Sequence, residues 1–87
     1  MGGERIELLT SDLVFGVSRP QKWWDSHPEH RKIFEGIRGS IKEEGMKKPL
    51  EVIFHPKKGY VVEVGNQRLQ ALLDLGIPTA LCVVTKL

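Results

Sequence analysis

Tyr60-Val61-Val62-Glu63-Val64-Gly65-Asn66-Gln67-Arg68-Leu69-Gln70-Ala71-Leu72-Leu73-Asp74-Leu75-Gly76 is the stretch whose reading decides the fold. Its first five residues are rich in β-branched side chains and read as a largely buried strand. Gly65 is the turn. Beyond it, Leu69, Leu72 and Leu73 recur at helical spacing, Asn66 is suited to an N-cap, and Gly76 before Ile77-Pro78 is a strong helix stop. The stretch is therefore a strand, a tight turn and a short helix. In that geometry the first backbone N–H groups of the helix lack partners and carry positive partial charge, which makes the turn a candidate anion site. Arg68, in the first helical turn, can add a two-pronged charged contact to the same anion. A plain structural turn with a solvated Arg68 is the competing reading. Against it, a cation in the first turn opposes the helix dipole, so its placement points to an external negative partner.

Outward from this unit, 87 residues predict one small domain over 1–87, with room for a few strands and two helices. A charged fraction of 28% and a net charge of only +2 exclude a strongly basic nucleic-acid binder while permitting a phosphate-rich partner. Cys82 is the single cysteine, in an apolar run, so no internal disulfide is available and a core role is expected. No apolar stretch approaches a membrane span, and Met1-Gly2-Gly3-Glu4 resembles neither a signal peptide nor, with Ile6 and Glu7 downstream, a lipidation site. A reducing, cytoplasmic setting without membrane attachment is the expectation.

Towards the N-terminus, Arg5 to Leu9 reads as a first strand ended by Thr10-Ser11-Asp12. Leu13 to Val17 continues apolar, and Ser18-Arg19-Pro20-Gln21-Lys22 reads as a loop. Trp23-Trp24 is the main aromatic concentration. Two adjacent tryptophans in an extended segment cannot both face the core, so at least one should face a surface or groove, stacking on a base or packing against a partner chain. Covering the end of the next helix is the bland alternative. Ser26-His27-Pro28-Glu29 has capping-box spacing and opens a helix with Ile33, Phe34, Ile37 and Ile41 on one stripe, ended by Gly45. Gly36 and Gly39 inside it suggest close approach of another backbone or a ligand, or mere sequence drift. His27 and His30 lack further ligands at useful spacing, so they read as solvated residues and no metal site is expected.

Between the helices, Leu50, Val52 and Phe54 share one face of a strand after Met46-Lys47-Lys48-Pro49. Pro56 to Gly59 turns it back into the Tyr60 strand as a hairpin. Thr79 to Val84 is a last apolar strand.

From about Glu7 to Val84 the chain resembles the ParB N-terminal domain superfamily, whose fold sulfiredoxin shares. The landmarks are Thr10-Ser11-Asp12-Leu13, Ser40-Ile41-Lys42-Glu43-Glu44-Gly45, Pro49-Leu50-Glu51-Val52, the Gly65 to Ala71 turn, and Gly76-Ile77-Pro78 before the last strand. The resemblance implies an α+β fold, a small mixed β-sheet packed with two main helices, one of about four turns from Pro28 and a short one from Asn66. ParB proteins read Gly-Glu-Arg-Arg-x-Arg-Ala at the turn, similar to a phosphate cradle for CTP. Gly65, Arg68 and Ala71 match it, whereas Asn66 replaces the acid and Gln67 and Gln70 replace arginines. Arg19 in Ser18-Arg19-Pro20-Gln21 is the nearest equivalent of a second nucleotide contact. Sulfiredoxin has Gly-Cys-His-Arg at the turn; with Asn66 in place of the nucleophile, its thiol chemistry is not expected.

The resulting expectation is a ParB-like domain that binds a nucleotide or nucleic-acid phosphate through Gly65, Asn66, Gln67 and Arg68, with Arg19 and Lys48, helped by Lys47, raising the local potential. The ligand implied is a nucleoside triphosphate, CTP or ATP, with Mg2+. Two other readings stay open. One is a nuclease or phosphotransfer enzyme, for which Glu63 or Asp74 would have to serve as the carboxylate base; no paired carboxylates stand at suitable spacing, and the balance leans away from catalysis. The other is a protein-interaction module or homodimer using Trp23-Trp24. Because the sequence stops at Leu87 before any helix-turn-helix, sequence-specific centromere binding is not expected, and a phage or plasmid accessory protein is the biological association.

Overall fold

The computed structural model describes residues 4–17 and 19–86, so Met1 to Gly3, Ser18 and Leu87, including the Gly2 and Ser18 readings, lie outside the described residues. The alternating apolar segments form five strands: β1 (Glu4–Leu9), β2 (Leu13–Phe15), β3 (Leu50–His55), β4 (Gly59–Val64) and β5 (Thr79–Lys86). Three helices accompany them, α1 (Gln21–Ser26), α2 (Pro28–Glu44) and α3 (Asn66–Asp74). The fold is α+β with a mixed sheet, ordered β1-β5-β3-β4-β2. β1 and β5 pair antiparallel, as do β3 and β4 of the hairpin, while β5 runs parallel to β3 and β2 runs parallel to β4.

Period-two alternation sends one face of each strand inward. Leu50 and Val52 of β3, Val62 of β4, and Ala80, Cys82 and Val84 of β5 form the sheet side of the core. Leu13 of β2, Leu69, Ala71 and Leu72 of α3 and Ile41 of α2 complete it. The largest fully buried side chains are Leu50, Leu69 and Leu72, each contributing about 1.5–3 kcal/mol on removal from water. Thr10, in a 3-10 turn after β1, fastens the start of the chain to the link between α3 and β5. Its hydroxyl donates to the Ile77 carbonyl at 2.8 Å, and its N–H donates to the Pro78 carbonyl at 2.9 Å.

The structure corrects several local expectations. Gln21 and Lys22 belong to a short helix and not to a loop. The capping box does not form, because the Ser26 hydroxyl donates back to the Lys22 carbonyl, and His27 is the N-cap of α2 without a side-chain bond. Gly36 and Gly39 face open space, with nothing within 4 Å of an added Cβ, so among the described residues no other backbone approaches them. Ile33 is 55% exposed and lies off the apolar stripe. The β4 strand is not largely buried: Val62 alone is inaccessible, while Glu63 and Val64 are exposed. Among the described residues no helix is long and apolar enough to cross a membrane.

Candidate functional site

Everything at the start of α3 follows from Gly65. It adopts the left-handed region, with φ of 106°, which a side chain would strain, and an added Cβ would sit 2.5 Å from Leu50 Cδ2. A bare glycine therefore lets β4 turn sharply into the helix over the buried Leu50. The first helical bond runs from Leu69 N–H to the Gly65 carbonyl at 2.8 Å, leaving the N–H groups of Asn66, Gln67 and Arg68 ahead of the intrahelical ladder.

Gly65, not Asn66, is the N-cap, and the Asn66 side chain does different work. Its Oδ1 accepts from the backbone N–H groups of Gly16 at 2.9 Å and Val17 at 3.3 Å, and its Nδ2 donates to the Val62 carbonyl at 3.0 Å. One carboxamide thus joins the end of β2, strand β4 and α3. Gly16 is required where it is, because a Cβ there would collide with the Val62 carbonyl oxygen. Neither Gly16 nor this bracing role was visible in the sequence, since the two halves of the contact stand 50 residues apart.

Arg68 folds back beneath the turn, its Nη1 donating to the Lys48 carbonyl at 2.9 Å. Gly65, Asn66, Gln67, Arg68 and Lys48, with Ile37, line one open hollow of about 530 Å³. Asn66 and Gln67 also line a second hollow of about 290 Å³ on the other side of the helix start, walled by Phe15, Val17, Arg19, Trp23, Trp24, His30 and Gln70. Five of the six predicted residues therefore meet at the turn, and Arg19 stands in the adjoining aromatic groove. Phe15, Val17, His30 and Gln70 are wall residues that the sequence reading did not place there. Their only signal is proximity to residues it did single out.

The aromatic wall is built by α1. The Trp23 indole is stacked on His27, with centroids 4.1 Å apart, and carries the Arg19 guanidinium 4.3 Å from its centroid. Trp24 packs on Phe34 at 5.6 Å. His27 and His30 are half-buried against Trp23, and His27 Nδ1 lies 2.8 Å from the Trp23 carbonyl. Both tryptophans line the groove.

The carboxylates nearest in sequence, Glu63 and Asp74, line neither hollow. Asp74 closes the far end of α3, about 12 Å along the axis, where it accepts from Gln70 at 2.9 Å and faces Arg38 at 3.6 Å. Glu63 is exposed. Among the described residues no three His, Cys, Asp or Glu side chains are grouped to hold a metal ion. Cys82 is fully buried on β5, and that burial pushes its thiol up from the ordinary value.

No family model matches the chain, and no curated protein matches it. Solved structures do. Sulfiredoxin from Arabidopsis thaliana superposes with a TM-score of 0.70 at 22% identity, covering 95% of this chain and 85% of that one. The C-terminally truncated chromosome-partitioning protein ParB from Caulobacter crescentus, complexed with CTP-gamma-S, gives 0.72 at 23% identity over 98% of this chain and 46% of ParB. A free serine kinase in complex with AMP gives 0.72 at 17% identity over 98% of this chain and 32% of the kinase. The chain thus has the ParB/sulfiredoxin-like fold, and it spans less than half of ParB and about a third of the kinase.

Proposed function

We propose that this chain is a nucleotide-binding domain whose phosphate site is the turn from Gly65 to Arg68. The observation that carries the reading is the joint placement of two hollows around one helix start. The N–H groups of Asn66, Gln67 and Arg68, which have no acceptor among the described residues, lie where an anion gains most from the helix dipole. Lys48 and the guanidinium of Arg68, which spends one donor on the Lys48 carbonyl and keeps others, supply positive charge on the same side. The groove walled by Arg19, Trp23 and Trp24 offers aromatic and cationic surface for the base and sugar.

The ligand class is a nucleoside triphosphate, CTP or ATP, with nucleic-acid phosphate as the second form of the same chemistry. With no metal-ligating cluster among the described residues, Mg2+ would arrive coordinated by the phosphates. Relatives in fold support the reading, since the ParB structure holds CTP-gamma-S and the kinase structure holds AMP. Binding without turnover fits the site better than phosphotransfer, because Asp74 is paired at the other end of α3.

Calorimetric titration with CTP, ATP and a short DNA duplex, each with Mg2+, tests this on the wild type and on Arg68→Ala. The expected outcome is binding that Arg68→Ala weakens by about 1.5–3 kcal/mol, the range of a charge-assisted contact. Arg68→Lys, which keeps the charge without the fork, should fall between. Absence of binding to all three ligands overturns the proposal.

A further inference from the structure

The two edges of the sheet are unequal. β2 is three residues long, whereas β1 runs six residues from Glu4 to Leu9 in unbroken register with β5. Among the described residues β1 pairs with β5 alone, so its outer side presents a row of unpaired backbone donors and acceptors. Proteins usually blunt such an edge with proline, a bulge or an inward-pointing charge. β1 has neither proline nor bulge, and its one charge on the inward face is Glu4 at the exposed start of the strand, followed on that face by Ile6 and Leu8, both only half-buried at the sheet border.

We propose that the β1 edge pairs with the β1 edge of a second copy of this chain, antiparallel about Ile6, to make one continuous ten-stranded sheet. The charges on the outward face choose the partner and the register. Antiparallel partners point to the same side of a sheet, so Arg5 and Glu7 can only meet residues of that face. With the two-fold axis at Ile6, Arg5 stands opposite Glu7 of the second copy and Glu7 opposite its Arg5, giving two opposite-charge pairs. Shifting the axis to Arg5 sets arginine against arginine, and shifting it to Glu7 sets glutamate against glutamate. The Arg5-Ile6-Glu7 triplet is thus self-complementary in a single central register, and this pairing also covers the half-exposed Ile6. An interface of one strand pair is small, so the dimer is expected to be reversible and concentration-dependent.

Analytical ultracentrifugation across a wide concentration series tests it, with circular dichroism confirming that each variant stays folded. Wild type should show a monomer–dimer equilibrium. Arg5→Glu and Glu7→Arg should each weaken association roughly tenfold, since each variant turns two attractive pairs into two repulsive ones. An equimolar mixture of the two single variants should associate again, because the edge of one then carries two acids and the edge of the other two arginines. A wild type that stays monomeric throughout overturns the proposal, as does a dimer indifferent to both substitutions or a mixture that fails to recover. Nucleotide titration of these variants is a separate readout, because β1 contributes no residue to the α3 turn.

Discussion

Gly65 and Asn66 divide the work at the turn. Gly65 was legible from sequence because a glycine between a strand and a helix has a local cause: the chain must reverse within one residue. Two independent constraints fall on it, a φ of 106° and the 2.5 Å approach of an added Cβ to Leu50. Gly65→Ala should therefore cost more than an ordinary glycine substitution. The left-handed backbone contributes about 1–2 kcal/mol and crowding of the core another 1–3 kcal/mol. Urea unfolding should show the midpoint falling at an unchanged slope, and a loss below about 1 kcal/mol would mean that Leu50 gives way freely. Asn66 was read as a cap because caps are chosen by spacing, which is all the sequence displays. Its true partners, Gly16, Val17 and Val62, are brought to it by the parallel pairing of β2 with β4, which no local pattern encodes. Arg68 was legible as the residue that contradicts the helix dipole. Its bond to the Lys48 carbonyl shows that one donor is satisfied within the chain while the group stays at the rim of the hollow.

Among elements, α2 and α1 mark the two extremes of legibility. Seventeen residues of α2 carry enough periodic apolar positions, with Gly45 in the left-handed region as its stop, to be read directly. Six residues of α1 do not, because a helix so short has no stability of its own and forms only where packing holds it. What holds it is the stack of Trp23 on His27 and the contact of Trp24 with Phe34, and both couple α1 to residues that are separately assigned to α2 or its cap. That packing also half-buries both histidines and makes His30 part of the groove wall. Gly36 and Gly39 reverse the lesson, since the sequence raised a close approach that the structure does not contain. Their cost to the helix is then purely conformational, and alanine can be placed without contact. Gly36→Ala and Gly39→Ala should each stabilise the protein by about 0.5–1 kcal/mol, read as a rise of a few degrees in melting temperature. A fall in melting temperature at either position would reveal a contact made by the native glycine.

At the scale of the whole molecule, the order of elements along the chain was legible except for β2 and α1, whereas the order of strands across the sheet was not. β1 lies beside β5, and β5 enters between β1 and the central β3, so the last strand ties the edge formed by the first strand to the middle of the sheet. Such pairings join the most distant parts of the chain, and their rules are global. Cys82 reports on this closure, because it pairs in register with Ile6 on one side and Leu50 on the other and is fully buried. Its thiol should stay unreactive toward an aromatic disulfide reagent until the sheet opens, and its modification rate should track global unfolding across a denaturant series. Rapid labelling under native conditions would show that β5 frays independently of the core. Burial raises the native thiol above its ordinary value, so in alkali the unfolded chain loses this proton before the folded one does. The stabilisation linked to Cys82 is thus fully present below the unfolded thiol's ordinary value of 9.0 and is lost as pH rises through it towards the native value. Cys82→Ala removes that linkage, so its unfolding free energy should decline less steeply with pH in the alkaline range than that of the wild type. Parallel curves for the two proteins would mean that the thiol titrates alike in the folded and unfolded chains, and that β5 is not sealed in the manner its position requires.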